Sequence, residues 1–257
     1  MEKLLNLLLD LPKMVNEKLP MNSFNKMMDN SEGSMKKWTG TAFTVGALVL
    51  LIVTLISVVS TGMDSFQASS GLGQVSVILC LLILIYAAFP IAQVVRSAGD
   101  SLSSSKSNSV DFIFKDFITT NIKVLGHVTA LAALFGAICS TIGWLLNSNG
   151  MTMNVDLYSG AAYAYALPID ATATFLEMVR LDFIGGVISD FFTWDLTGST
   201  ATGYTIDGIV AVGWEYAQVI LILAKLYLAL ALYHFFYGIV STLSKWIRSP
   251  FLPFKNS

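Results

Sequence analysis

The stretch TAFTVGALVLLIVTLISVVS, Thr41 to Ser60, decides the fold. It holds no charged side chain, and its length is what a bilayer asks for. The hydrocarbon core is about 30 Å thick and a helix rises about 1.5 Å per residue, so about 20 apolar residues span it. Three more such stretches follow, at about Leu72 to Val95, Ile122 to Leu146 and Ile209 to Val240. The last exceeds a span, so it tilts or projects on one side. Continuous apolar runs rather than two-residue alternation specify helices, not a β-barrel.

Composition agrees. Of 257 residues, 54% are hydrophobic and 12% charged, and mean hydropathy is +0.67. An ordinary soluble domain carries about a quarter charged residues. A nucleic-acid binder, a disordered tail and an ordinary cytosolic enzyme are thereby excluded. The expected fold is an all-α integral membrane protein with four transmembrane helices, an N-terminal amphipathic surface helix and a partly helical outer loop.

Charge sets the orientation. Six lysines from Lys3 to Lys37 precede the first span; Arg96, Lys106, Lys115 and Lys123 lie between or beside the second and third; Lys245, Arg248 and Lys255 follow the fourth. Thirteen of the 15 basic residues thus share one side, leaving Arg180 opposite and Lys225 within the fourth span. By the positive-inside rule both termini are cytoplasmic. The formal net charge of −2 hides an asymmetry, because Asp156, Asp170, Glu177, Asp182, Asp190, Asp195 and Asp207 all fall in the outer connection. This bias fits a cell inner membrane, with an organellar membrane as the alternative. Asn6 and Asp10 interrupt the first apolar stretch and no small-residue cleavage site follows, so the N-terminus is expected to be retained.

Four regions follow. Residues 1–37 form a cytoplasmic segment in which Leu4, Leu5, Leu8, Leu11 and Val15 share one helical face, lying on the membrane surface or docked on a partner helix. Residues 38–146 hold three spans, with Trp38 as an interfacial anchor and a serine-rich, flexible cytoplasmic linker, SAGDSLSSSKSNS. VDFIFKDFITT, from Val110, reads as an amphipathic lead-in to the third span. Residues 147–207 form an extracytoplasmic loop with an interfacial or re-entrant helix, begun by a Thr174-x-x-Glu177 capping box and weakened in its middle by Gly185–Gly186. Glycines and threonines from Gly198 to Gly213 suit a hairpin or a close-packed turn. Residues 208–257 are the fourth span and a cytoplasmic tail.

Two small-residue seams permit close helix approach: Ala132, Gly136 and Ser140 in the third span, and Ala217, Ala224, Ala231 and Gly238 at heptad spacing in the fourth. Each packs either within the chain or against another subunit. Polar residues inside spans are costly, so Glu215, Gln218 and Lys225 are the first candidates for an intramembrane contact. At 100° per residue Gln218 and Lys225 lie about 20° apart and Glu215 about 60° from Gln218, a loose polar stripe. It serves either an assembly contact or an ion path, and the assembly contact is the plainer use. His127 and His234 stand at matched depth and are weaker candidates for haem or quinone. A lone histidine is more often a hydrogen-bonded interface residue. Cys80 and Cys139 both lie within spans, where a structural disulfide is not expected.

No nucleotide-binding, hydrolase or metal-ligand motif occurs. The expectation is a non-catalytic membrane scaffold or accessory subunit that needs no metal or cofactor. Its partners would be membrane lipids and other membrane subunits or copies of itself, with no nucleic acid. The alternatives are an oligomeric channel or small transporter lined by Glu215, Gln218 and Lys225, and a redox subunit using His127 and His234.

Overall fold

A computed structural model describes residues 31–148, 169, 172–178, 180–193 and 203–248. The amphipathic segment expected at residues 2–19 and the tail after residue 248 lie outside them. Every element among the described residues is helical. They are α1 (Ser31–Ala68), α2 (Leu72–Ser103), α3 (Ser109–Leu145), a short helical segment at 172–178, α4 (Asp182–Thr193) and α5 (Ile206–Arg248). α1, α2, α3 and α5 are each long and apolar enough to cross a membrane.

The four stretches of the sequence are parts of longer helices: α1 and α5 run past theirs at both ends, α2 continues beyond Val95, and α3 begins well before Ile122. α1 has 38 residues and α5 has 43. At 1.5 Å per residue they measure about 57 and about 65 Å, roughly twice a hydrocarbon core. The connection after the first span is correspondingly shorter than the sequence suggests. α1 runs on to Ala68, and only Ser69, Ser70 and Gly71 turn the chain. Gly71 has φ +56°, a left-handed conformation that side chains disfavour.

The long helices pack as an open row. α1 lies on α2, α2 on α3 and α3 on α5, and no other pair of these four comes into comparable contact. The row does not close into a bundle. Within its most apolar window α1 is only 11% buried, against 39–44% for the other three. Leu48, Val49, Ile52, Val53 and Ile56 of α1 are exposed apolar side chains, the surface that lipid or a neighbouring helix would cover.

α1 and α2 meet almost backbone to backbone. A β-carbon on Gly40 would sit 2.8 Å from the Gly99 carbonyl oxygen, and one on Gly99 would sit 2.8 Å from the Gly40 oxygen. At the other end of the pair, one on Gly62 would meet Leu81 at 2.6 Å. Larger side chains fill the next interface. Cys80 and Leu84 of α2 pack with Val58 of α1 and Cys139 of α3. Below them, Ala87 and Ile91 meet Val128 and Ala132. Both cysteines are buried and form no disulfide, and each thiol points at the other residue's carbonyl oxygen, at 3.7 and 3.9 Å.

Candidate functional site

Two ends and a middle need to be distinguished. At the end remote from most lysines, α3 is clamped to α5. The Trp144 indole donates to the Thr205 carbonyl at 3.0 Å and stacks on Tyr204, with ring centres 4.8 Å apart. The Asn147 side-chain oxygen accepts from the Tyr204 backbone N–H at 3.0 Å. Gly203, at φ +94°, leaves room for that oxygen, and Gly208 closes tightly on the Gly203 carbonyl. This is the close-packed turn that the glycines and threonines suggest, for the described part of that stretch. One turn deeper, Thr141 and Tyr216 share a hydrogen bond of 3.1 Å.

The opposite, basic end is tied by a polar clasp. The Lys36 ammonium of α1 donates to the Ser105 carbonyl at 3.1 Å and to that of Ser107, and it lies 5.9 Å from the Phe112 ring centre. The Ser105 and Ser107 hydroxyls share a hydrogen bond of 2.7 Å, and both reach the Asp116 carboxylate, Ser107 at 2.6 Å. The serine-rich linker expected to be flexible is therefore neither long nor loose. α2 extends to Ser103, Asn108 caps α3 by accepting from the Asp111 N–H at 2.7 Å, and the residues between are held by a carboxylate and an ammonium.

The clasp continues into a π-helical stretch of α3, Phe112–Phe117, where the VDFIFKDFITT lead-in joins the third span without a break. Widening the ladder to i→i+5 loosens carbonyl groups from their usual partners. Here side chains supply the missing donors. The Tyr233 hydroxyl donates to the Phe114 oxygen, Thr119 to Lys115 at 2.6 Å, and Asn121 to Phe117 at 2.7 Å. The Tyr237 hydroxyl reaches the Asp111 carboxylate. α5 thus grips the widened turn of α3 through two tyrosines one helical turn apart.

Between the ends, α5 carries the intramembrane candidates. Lys225 is buried to 7% exposure, on the face that also buries Ile222, Leu226 and Ala229. Gln218 and Glu215 are half-buried. Lys225 and Gln218 are each engaged by neighbours. The alanine seam points elsewhere. Ala217 is half-buried, Ala224, Ala231 and Gly238 are exposed, and a β-carbon on Gly238 would meet nothing within 4 Å. In α3 only Ala132 of the second seam is buried; Ser140 is half-buried, and Gly136 is equally open to an added β-carbon. His127 is half-buried on α3, whereas His234 is exposed and lines a shallow groove with Phe235, Gly238, Ile239 and Trp246, without His127. Among the described residues no group of three or more His, Cys, Asp or Glu is placed to hold a metal.

The segment after α3 returns to this buried face. Ile169, Ile188 and Phe192 pack on Ile122 of α3 and on Leu226, Ala229 and Leu230 of α5. Phe175 meets Phe236 edge-on, with ring centres 5.4 Å apart. Residues 172–178 and α4 are the arms of a helical hairpin, not one interfacial helix. Thr174 and Glu177 lie inside the first arm, so they do not form the capping box that starts it. The break falls at Arg180, not at the paired glycines. The Leu181 N–H donates to the Leu176 carbonyl at 2.8 Å and the Arg180 N–H to Glu177 at 3.1 Å, with Arg180 at φ +63°. This is a Schellman turn, and a non-glycine residue in it costs about 1 kcal/mol. Gly185 faces the first arm, where a β-carbon would lie 3.5 Å from the Ala173 oxygen, an ordinary contact.

Sequence reading missed the Gly40–Gly99 crossing and the hairpin turn. The first joins residues far apart in the chain, and the second carries an arginine where glycine or asparagine would signal a stop. Compared with known protein families, curated proteins and solved structures, the chain matches none.

Proposed function

We propose that this chain is a non-catalytic, multi-pass membrane subunit that assembles laterally with other membrane helices, either copies of itself or different chains. Its helices cross an inner membrane with both termini in the cytoplasm, and lipid covers what partners do not. The observation that supports this reading most is the open row. α1 is covered mainly by α2, and α5 leaves Ala224, Ala231 and Gly238 exposed, with nothing among the described residues within 4 Å of a β-carbon on Gly238. Lipid gains little from a smooth helix face, whereas a second helix gains close van der Waals approach.

Purification of the full chain in mild detergent, followed by mass photometry and identification of co-purifying proteins, tests it. A homo-oligomer or a stoichiometric set of partners is expected. A monomer in native membranes, measured by crosslinking before extraction, overturns it. Replacing Ala231 and Gly238 together by leucine is expected to release the partner while the fold persists.

A second reading, conduction through an oligomer, draws on one observation: a lysine buried about midway along the apolar part of α5. If Lys225→Met leaves assembly intact and abolishes ion flux in liposomes, conduction displaces the scaffold reading.

A further inference from the structure

We infer that Ile169, residues 172–178 and residues 180–193 belong to a re-entrant wedge whose turn reaches the membrane interface on the basic side, with Arg180 at headgroup level and Met178 and Phe183 against lipid chains. The inference rests on the reading of α1, α2, α3 and α5 as membrane spans. Depth along α5 carries it. The Thr141–Tyr216 hydrogen bond marks one level near the far end of α3 and α5. Leu226 is ten residues further, about 15 Å, and Phe236 is twenty residues further, about 30 Å, which is a whole hydrocarbon thickness. Ile169, Ile188 and Phe192 pack at the level of Leu226 to Leu230, and Phe175 packs at Phe236. Phe236 itself lies between Tyr233 and Tyr237, which bind the π-helical start of α3 beside the clasp of Lys36 and Asp116. The turn at Arg180 follows Phe175 by five residues and so stands at that basic end.

Three further observations agree. Met178 is 76% and Phe183 83% exposed, large apolar groups at a turn that water alone would not favour. Arg180 is exposed and keeps a left-handed backbone that glycine would adopt without strain, so its side chain is retained against a conformational cost. A guanidinium binds phosphate oxygens, and its stem suits the chain region below them. Finally, the placement removes the one exception to the charge rule: Arg180 is the basic residue that the sequence alone puts on the wrong side.

The test is side-specific labelling of the full chain in sealed native vesicles with a membrane-impermeant maleimide. Ser70→Cys and Lys106→Cys report the two ends, while Glu177→Cys, Arg180→Cys and Asp182→Cys report the turn; the wild type, whose two cysteines are buried, is the blank. Turn positions are expected to label from the Lys106→Cys side, with complete loss of labelling when reagent is confined to the Ser70→Cys side. Three variants guard against one that fails to fold. Turn labelling from the Ser70→Cys side, or from neither side, overturns the inference while the spans stand. Labelling of Ser70→Cys and Lys106→Cys from the same side overturns the spans, and the wedge with them. A nitroxide at Phe183→Cys is expected to collide with dissolved oxygen more than with a water-soluble nickel chelate; the reverse order overturns the lipid contact.

Discussion

The two halves of the row hold together by different means. α1 and α2 are joined by a three-residue turn and cross where Gly40 and Gly99 bring backbone against backbone. α3 and α5 are separated by about 60 residues of chain and are held by bulky apolar side chains, two tyrosine hydroxyls, a tryptophan clamp and an inserted helical hairpin. The first interface depends on what is absent from two positions. The second depends on many groups, each contributing a little. One pair is therefore brittle to a single added methyl group, and the other degrades by increments.

The largest expected effect tests the brittle side. Gly99→Leu must displace the Gly40 carbonyl or Phe43, both 2.8 Å from the new β-carbon, and is expected to destabilise the chain by about 3 kcal/mol. Scanning fluorimetry in detergent reads it, and an unchanged transition would mean that the two helices slide apart freely. Next comes the wedge. Ile188→Ala removes a partly buried side chain packed on the α3–α5 core and is expected to cost about 2 kcal/mol, because the hairpin can partly settle into the gap. Protease sensitivity around residue 180 should rise while the α1–α2 hairpin keeps its protection.

Smaller effects sharpen the contrast. Tyr233→Phe takes the added donor from the Phe114 carbonyl and is expected to cost about 1 kcal/mol, with faster hydrogen exchange confined to the start of α3. The smallest is a glycine of the other kind. Gly136→Ala meets nothing within 4 Å and is expected to be neutral, or to stabilise by up to about 1 kcal/mol through helix propensity. If Gly136→Ala weakens the isolated chain as Gly99→Leu does, the distinction between covered and open glycines is wrong.

These glycines also show what sequence reading reaches. Spans are legible because a hydrocarbon core imposes a contiguous apolar run that composition cannot hide. The four apolar cores follow from it. Small-residue spacing, by contrast, identifies smooth helix faces without saying what covers them. Gly136 and Gly238 lie in regular seams and stand open, while Gly40 and Gly99 belong to no seam and are in contact. The same holds for the serine-rich linker, whose order comes from Lys36, remote from it in sequence, and from Asp116 in the helix that follows it. Lys225 was legible as a residue in need of surroundings, since a lysine among apolar residues is costly. That a hairpin from the preceding connection packs on the adjacent Leu226, Ala229 and Leu230 was not, because nothing at Arg180 announces a turn.

The π-helical stretch at Phe112–Phe117 makes chain length at that point a matter of inheritance. An i→i+5 turn accommodates one residue more than the regular ladder needs, so loss of a single codon there would restore ordinary winding. It would also rotate everything before it by about 100° relative to the rest of α3. Asp111 would swing away from Tyr237, and Phe112 from Lys36. Point substitutions at these six residues would be absorbed one contact at a time, while an in-frame deletion would unseat both neighbouring helices together. Lineages that keep the clasp should therefore vary the letters of this hexapeptide far more readily than its number.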